Sequence, residues 1–142
     1  MSSVQSFGDS EGFPISLAIR AGDFVFTCAV GDHGFNPSDV RYNAKGVVID
    51  DGAGMPTRSI EEETRGTIET LRSVLAEAGC TLNDIVDISL WFKDPRDFEA
   101  VNTVYAEYFN APFPTRSVFQ VGFMGDYRIE MKATAFKPLV RR

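Results

Sequence analysis

Histidine and cysteine are scarce in this chain: His33 stands alone, and the two cysteines, Cys28 and Cys80, do not form a C-x-x-C pair. A structural zinc site, normally built from four His and Cys ligands, would need an unusual ligand set, so no metal is expected. The two thiols read as separate buried residues rather than as a disulfide. Positive charge is also short, with 14 Lys and Arg against 20 Asp and Glu and a net charge of −6. Proteins that grip nucleic acid by its phosphates need the opposite balance, so no nucleic-acid partner is expected. No apolar run approaches the roughly 20 residues that span a bilayer, and the N-terminus lacks a basic segment followed by an apolar one. No membrane association and a cytoplasmic location are the resulting expectations. Neither Gly-x-Ser-x-Gly, nor a P-loop, nor Gly-x-Gly-x-x-Gly occurs, which leaves hydrolase-elbow and nucleotide-phosphate chemistry without motif support.

What is present suits a single globular domain over residues 1–142. The hydrophobic fraction is 44%, phenylalanines are spread along the length, and residues 1–10 are the one stretch that reads as flexible.

Alternation predicts a strand over residues 13–21, where Ile15, Leu17 and Ile19 share a face, and a turn at Gly22-Asp23. A second strand over 24–30 is apolar on both sides, with Phe24, Phe26, Cys28 and Val30 one way and Val25, Thr27 and Ala29 the other, as in a strand covered on both faces. Residues 31–56 form a long loop insertion rich in Gly, Asp, Asn and Pro, with one short strand expected at 46–49. Residues 57–78 predict a helix, because Ile60, Thr64, Ile68, Leu71, Leu75 and Ala78 make one stripe, acids crowd the first turn, and Gly79 follows. A strand over 84–93 follows, with Val86, Ile88, Leu90 and Phe92 on one face. Asp94-Pro95 opens a second helix that runs to about Phe109. Two C-terminal strands, 117–123 and 128–136, read as hairpin partners. The sum is an α+β, two-layer domain: a mixed sheet of five to six strands with two helices on one face. Apolar residues on the other face, in the 24–30 strand and at Trp91, Val118 and Phe119, call for a cover, and a second copy of the chain is the simplest one.

Arg116, at the mouth of a C-terminal strand after Pro112 and Pro114, fits either a surface ion pair or bidentate recognition of a carboxylate. Glu130 shares a face with Arg128, Lys132 and Thr134, and is either a solvated side chain or, in a partly closed cleft, a group that positions a water. Asn102 is either an exposed helix residue or a hydrogen-bonding group of a pocket. Cys28 reads as a structural thiol, and His33, five residues on, is weak support for a Cys–His dyad. If Arg116 and Glu130 face each other, one holds an anion while the other handles a proton or water.

From about Pro14 to Pro138 the chain resembles the RidA family of enamine/imine deaminases, also called YjgF or L-PSP. The resemblance rests on residues 21–27 (AGDFVFT), 76–79 (AEAG) followed by 83–86 (NDIV), 97–102 (DFEAVN) with Tyr105 and Phe109, 114–117 (PTRS), and Ile129-Glu130. It implies a chorismate-mutase-like α+β fold assembled as a homotrimer, with sites at the subunit interfaces. It further implies that Arg116 binds a substrate carboxylate, that Glu130 orients the attacking water, and that Asn102 belongs to the pocket. The implied reaction hydrolyses a 2-imino acid, formed from its 2-enamino tautomer, to a 2-keto acid and ammonia without a metal or organic cofactor.

Three departures from the family pattern touch the pocket walls. Ile15 stands where a Tyr is common, Cys28-Ala29-Val30 replaces Ser-Gly-Gln, and Val118 replaces a Cys, which rules out a thiol mechanism at that position. The 31–56 segment is also longer than usual. With Arg116 and Glu130 kept, these changes point to an altered substrate, such as a larger enamine of the 2-aminomuconate type. A non-catalytic trimer that binds small carboxylates is the alternative from a different class, and ribonuclease activity is the reading that the acidic charge favours least.

Overall fold

The computed structural model describes residues 4–32, 43–47, 49, 58–124 and 127–140. Its elements are β1 (Val4–Phe7), β2 (Ala18–Ala21), β3 (Phe24–Thr27), α1 (Ile60–Glu77), β4 (Ile85–Phe92), α2 (Phe98–Tyr108), β5 (Thr115–Gln120) and β6 (Ile129–Phe136). The six strands make one mixed sheet in the order β1-β2-β3-β6-β4-β5, in which only β4 and β5 run parallel. The two helices cover one face, so the fold is the α+β two-layer domain expected.

α1 starts where Ser59 caps it, its side-chain oxygen accepting the Glu62 amide at 3.1 Å, with Glu61, Glu62 and Glu63 in the positive first turn. It ends at Ala78, and Gly79, at φ 77°, takes the left-handed conformation that closes the last turn. The buried stripe, Thr64, Ile68, Leu71 and Leu75, is the one the periodicity marks, joined by Thr67, Val74 and the acid Glu63. These side chains pack on Val25, Ile88, Leu90, Phe92, Met131, Ala133 and Ala135 of the sheet. α2 follows a single 3₁₀ turn at Pro95–Asp97, whose cap, Asp94, accepts the Arg96 amide.

Several local expectations need correction. Residues 4–7 are ordered as the edge strand β1, paired with β2, although their sequence carries no strong strand signal. β2 is shorter than the predicted 13–21 strand, and Ile15 lies in the segment before it. Gly46 and Val47 sit in a turn in which the Asn43 amide donates to the Val47 carbonyl and Asn43 Oδ1 accepts the Val47 amide; Val48 lies outside the described residues. A bulge between Ile85 and Asp87 takes Val86 out of phase and leaves it exposed, while Ile88, Leu90 and Phe92 stay in the core. β5 and β6 are not hairpin partners: β4 lies between them, parallel to β5 and antiparallel to β6, and α2 supplies the crossover that a parallel β4–β5 pair requires.

The opposite face of the sheet carries exposed aromatics. Phe24 and Phe136 lie 5.2 Å apart between ring centroids, Trp91 stacks on Phe119 at 6.3 Å, and Phe26 lies beside them on β3. Val118 does not belong to this group. It pairs with Leu90 and so projects from the helix side. No helix among the described residues is long and apolar enough to cross a membrane.

Candidate active site

Arg116 pairs with Ile88 across the parallel β4–β5 ladder, so both side chains leave the sheet on the helix side. There it meets α2. Phe98, Asn102 and Tyr105 follow one another at four and three residues, which places them on one stripe of that helix. Arg116 Nη1 donates to Asn102 Oδ1 at 2.7 Å, and the guanidinium carbon lies 4.9 Å from the centroid of the Tyr105 ring and 5.8 Å from that of Phe98. Among the described residues no carboxylate pairs with Arg116. A neutral amide fixes the direction of the fork without cancelling its charge. Because Arg116 remains exposed, the outward edge of the guanidinium is free to meet an anion.

Glu130 occupies a different environment. It pairs with Trp91 on the face away from the helices, together with Lys132 and Thr134, as the alternation of β6 indicates. It is half-buried, and that burial pushes its carboxyl above the ordinary glutamate range. Cys28 lies within electrostatic reach of both Glu130 and Lys132, and its thiol is pushed up chiefly by burial. A bulge places it there. β3 pairs with β6 as far as Phe26 and Thr134, and pairing resumes at Val30 and Met131, so three residues oppose two. Thr27 Oγ1 accepts the Ala133 amide that the bulge leaves open, at 3.0 Å. In consequence Val30 turns to the buried side, against the expectation that it would share a face with Phe24 and Phe26. Cys28 is a free, half-buried thiol, and Cys80 is free and buried.

The candidate residues therefore fall into two groups rather than one. Arg116 with Asn102, and Val118 two residues along, lie on the helix side; Glu130 lies on the other, and Cys28, within its electrostatic reach, packs against the core. Arg116 and Glu130 are two strands apart and offset by three residues of β4, roughly 14 Å at ordinary strand spacing and rise. The expectation that they face each other within the chain fails, because β4 is inserted between their strands and the pleat sends them to opposite sides. Ile15 is 38% exposed, its amide donating to the Phe13 carbonyl, and His33 lies outside the described residues. Among the described residues no group of three His, Cys, Asp or Glu is placed to hold a metal.

Two further features escape a residue-by-residue reading. The rings of Phe98 and Tyr105 flank Asn102 beneath Arg116, a relation visible in the F-x-x-x-N-x-x-Y spacing. Glu63, 2% exposed, accepts both the amide (2.9 Å) and Nε of Arg128, tying the start of β6 to α1 two residues before Glu130. Its place among the acids of the first turn of α1 disguises it as a surface residue.

The chain belongs to the endoribonuclease L-PSP family, also called YjgF/RidA, whose model matches residues 14–137. It is 35% identical over 126 residues to the RutC family protein PYRAB12510 of Pyrococcus abyssi, covering 87% of each chain. It is 32% identical over 79 residues to the human 2-iminobutanoate/2-iminopropanoate deaminase, covering 55% of this chain and 58% of that one. In fold it is similar to E. coli TdcF with bound serine, with a TM-score of 0.72 and 22% identity, covering 94% of this chain and 98% of that one.

Proposed function

We propose that the protein is a hydrolytic deaminase that converts reactive 2-enamino and 2-imino acids to 2-keto acids and ammonia. The observation that carries this reading is the Arg116 fork, held at one nitrogen by Asn102 and open on its outer edge. A planar guanidinium fixed in this way suits the carboxylate of a small 2-imino acid. With the carboxylate anchored, the neighbouring imine carbon is set for attack by water. Water adds to the C=N carbon to give a carbinolamine, a proton moves to the nitrogen, and the C–N bond breaks to release ammonia and leave the ketone. A carboxyl whose proton affinity is raised by burial is suited to deliver and recover that proton, and Glu130 takes that role.

Because Arg116 and Glu130 lie on opposite faces of one chain, the active site is assigned to the boundary between two chains of a homotrimer, Arg116 from one and Glu130 from its neighbour. The exposed aromatic face, with Phe24, Phe26, Phe119 and Phe136, supports an assembly that covers it. Cys28 lies on the Glu130 wall and Val118 on the Arg116 wall, and together with Ile15 they are the positions assigned to substrate choice. The human relative's name agrees with this chemistry. The test is release of ammonia and keto acid from freshly generated 2-iminopropanoate and 2-iminobutanoate. Arg116→Ala should reduce the rate to that of buffer, whereas full activity in that variant would refute the assignment.

A further inference from the structure

We infer that the Tyr105 ring is a positioning residue for the proposed carboxylate anchor, an aromatic seat on which the Arg116 guanidinium rests while Asn102 sets its direction. The inference rests on the reading of Arg116 as that anchor, but its own subject is how the cation is held. An arginine on an edge strand, with only one hydrogen bond, is free to swing about several torsions, and one bond to Asn102 removes only part of that freedom. The ring supplies the second constraint. Its centroid lies 4.9 Å from the guanidinium carbon, within the range in which the negative ring face attracts a cation.

Tyr105 is well suited to be the rigid partner. It is 7% exposed, its helix neighbours Val101 and Val104 are fully buried, and its ring stacks on Phe109 at 4.2 Å and 20°. Phe98, a second ring at 5.8 Å, stands on the same stripe at the other side of Asn102, so the cation lies along a ring–amide–ring row. The Tyr105 hydroxyl is buried and has no hydrogen-bond partner among the described residues. A buried hydroxyl without a partner costs stability instead of adding to it, which leaves the ring as the part of the side chain that acts.

The experiment uses the full-length protein and four variants, Tyr105→Phe, Tyr105→Leu, Phe98→Leu and Arg116→Ala, with two readouts. The first is the NMR signal of the Arg116 Nε–H, which a ring beneath the guanidinium shifts upfield. The second is the dissociation constant for 2-oxobutanoate by calorimetry. Tyr105→Phe should keep both the shift and the affinity and melt no lower than the parent. Tyr105→Leu should lose the shift and bind about two- to fivefold more weakly, the loss expected for one cation–π contact at an exposed guanidinium. Phe98→Leu, at an exposed ring that tolerates truncation, should weaken binding by a smaller factor. If Tyr105→Leu does not fold, the parent and Tyr105→Phe decide: an Arg116 Nε–H signal without the upfield ring shift in both overturns the inference. The inference is overturned if Tyr105→Leu leaves both readouts unchanged, or if Tyr105→Phe weakens binding as much as Tyr105→Leu, since the hydroxyl would then be the acting group. Binding that survives Arg116→Ala would instead remove the anchor assignment, while the NMR shift would still decide whether Tyr105 seats the guanidinium.

Discussion

Arg116 and Glu130 stand on opposite faces of the same sheet, with β4 between their strands. Arg116 reaches to the helix side and is tied to Asn102, whereas Glu130 lies beside Trp91 on the side that carries exposed aromatic rings. A 2-imino acid of a few atoms cannot span the roughly 14 Å and the thickness of the sheet between them. If both groups act on one substrate, they come from different chains. The oligomer is then part of the chemistry rather than an accessory to it.

Arg116→Lys keeps the charge and discards the planar fork. An ammonium cannot both donate to Asn102 in the same plane and present two parallel donors to a carboxylate. KM for 2-iminopropanoate should rise by about tenfold or more, with a smaller fall in kcat, as read from initial rates of keto-acid release.

Glu130→Gln separates catalysis from stability. In the proposed role of proton-handling group, Glu130 should cost about 10²- to 10⁴-fold in kcat when replaced, with KM little changed. Its carboxyl is pushed up by burial, so the folded chain holds the proton more tightly than the unfolded one. The stabilising effect of that tighter binding is complete below the unfolded glutamate range and is lost as pH rises through the higher folded value. Glu130→Gln should therefore melt higher than the parent at pH 7, and the gap should close at acid pH. Melting curves across that range check both the sign and the window.

Phe26 pairs with Thr134 on the aromatic face and is 41% exposed in the single chain. A carboxylate there would face a cost of desolvation in any assembly that covers this face. Phe26→Asp should shift sedimentation from the proposed trimer to monomer while leaving the far-ultraviolet circular dichroism unchanged.

Much of this architecture was legible in the sequence, and the failures have identifiable causes. α1 and the core face of β4 emerge because a long stripe and a long alternation average over local exceptions. The side on which Glu130 lies was also readable from β6 alone. The strand order was not, since nothing local says that β4 enters between β5 and β6; that choice is made by α2, whose length and packing allow the parallel return. The bulges at Val86 and Cys28 each add one residue, which reverses the facing of neighbours such as Val30. Asn102 was found as a candidate, but its bond to Arg116 depends on the parallel β4–β5 register that local periodicity does not contain. The edge strand β1 went unread because Val4–Phe7 is short and mostly exposed.

Arg20 is a structural counterpart to Arg116. It is 7% exposed and spends its donors on three backbone carbonyls: Lys137 at 2.8 Å, Gly22 at 3.2 Å and Ala78, at the end of α1, at 3.3 Å. Arg20→Leu would leave those acceptors unsatisfied and remove a cation from a helix C-terminus, at a cost of about 3 kcal/mol in unfolding free energy. Urea titration should show the loss, with the activity of the remaining folded fraction unchanged.

The most direct test mixes two inactive chains. Arg116→Ala and Glu130→Gln, each inactive alone, are co-expressed with different tags, and the mixed trimers are isolated through both. If each site takes its arginine from one chain and its glutamate from the next, every mixed trimer, whichever chain is present twice, restores one of its three sites, and deaminase activity should return to about a third of the parent. Mixed trimers as inactive as either variant alone would contradict a site shared between chains.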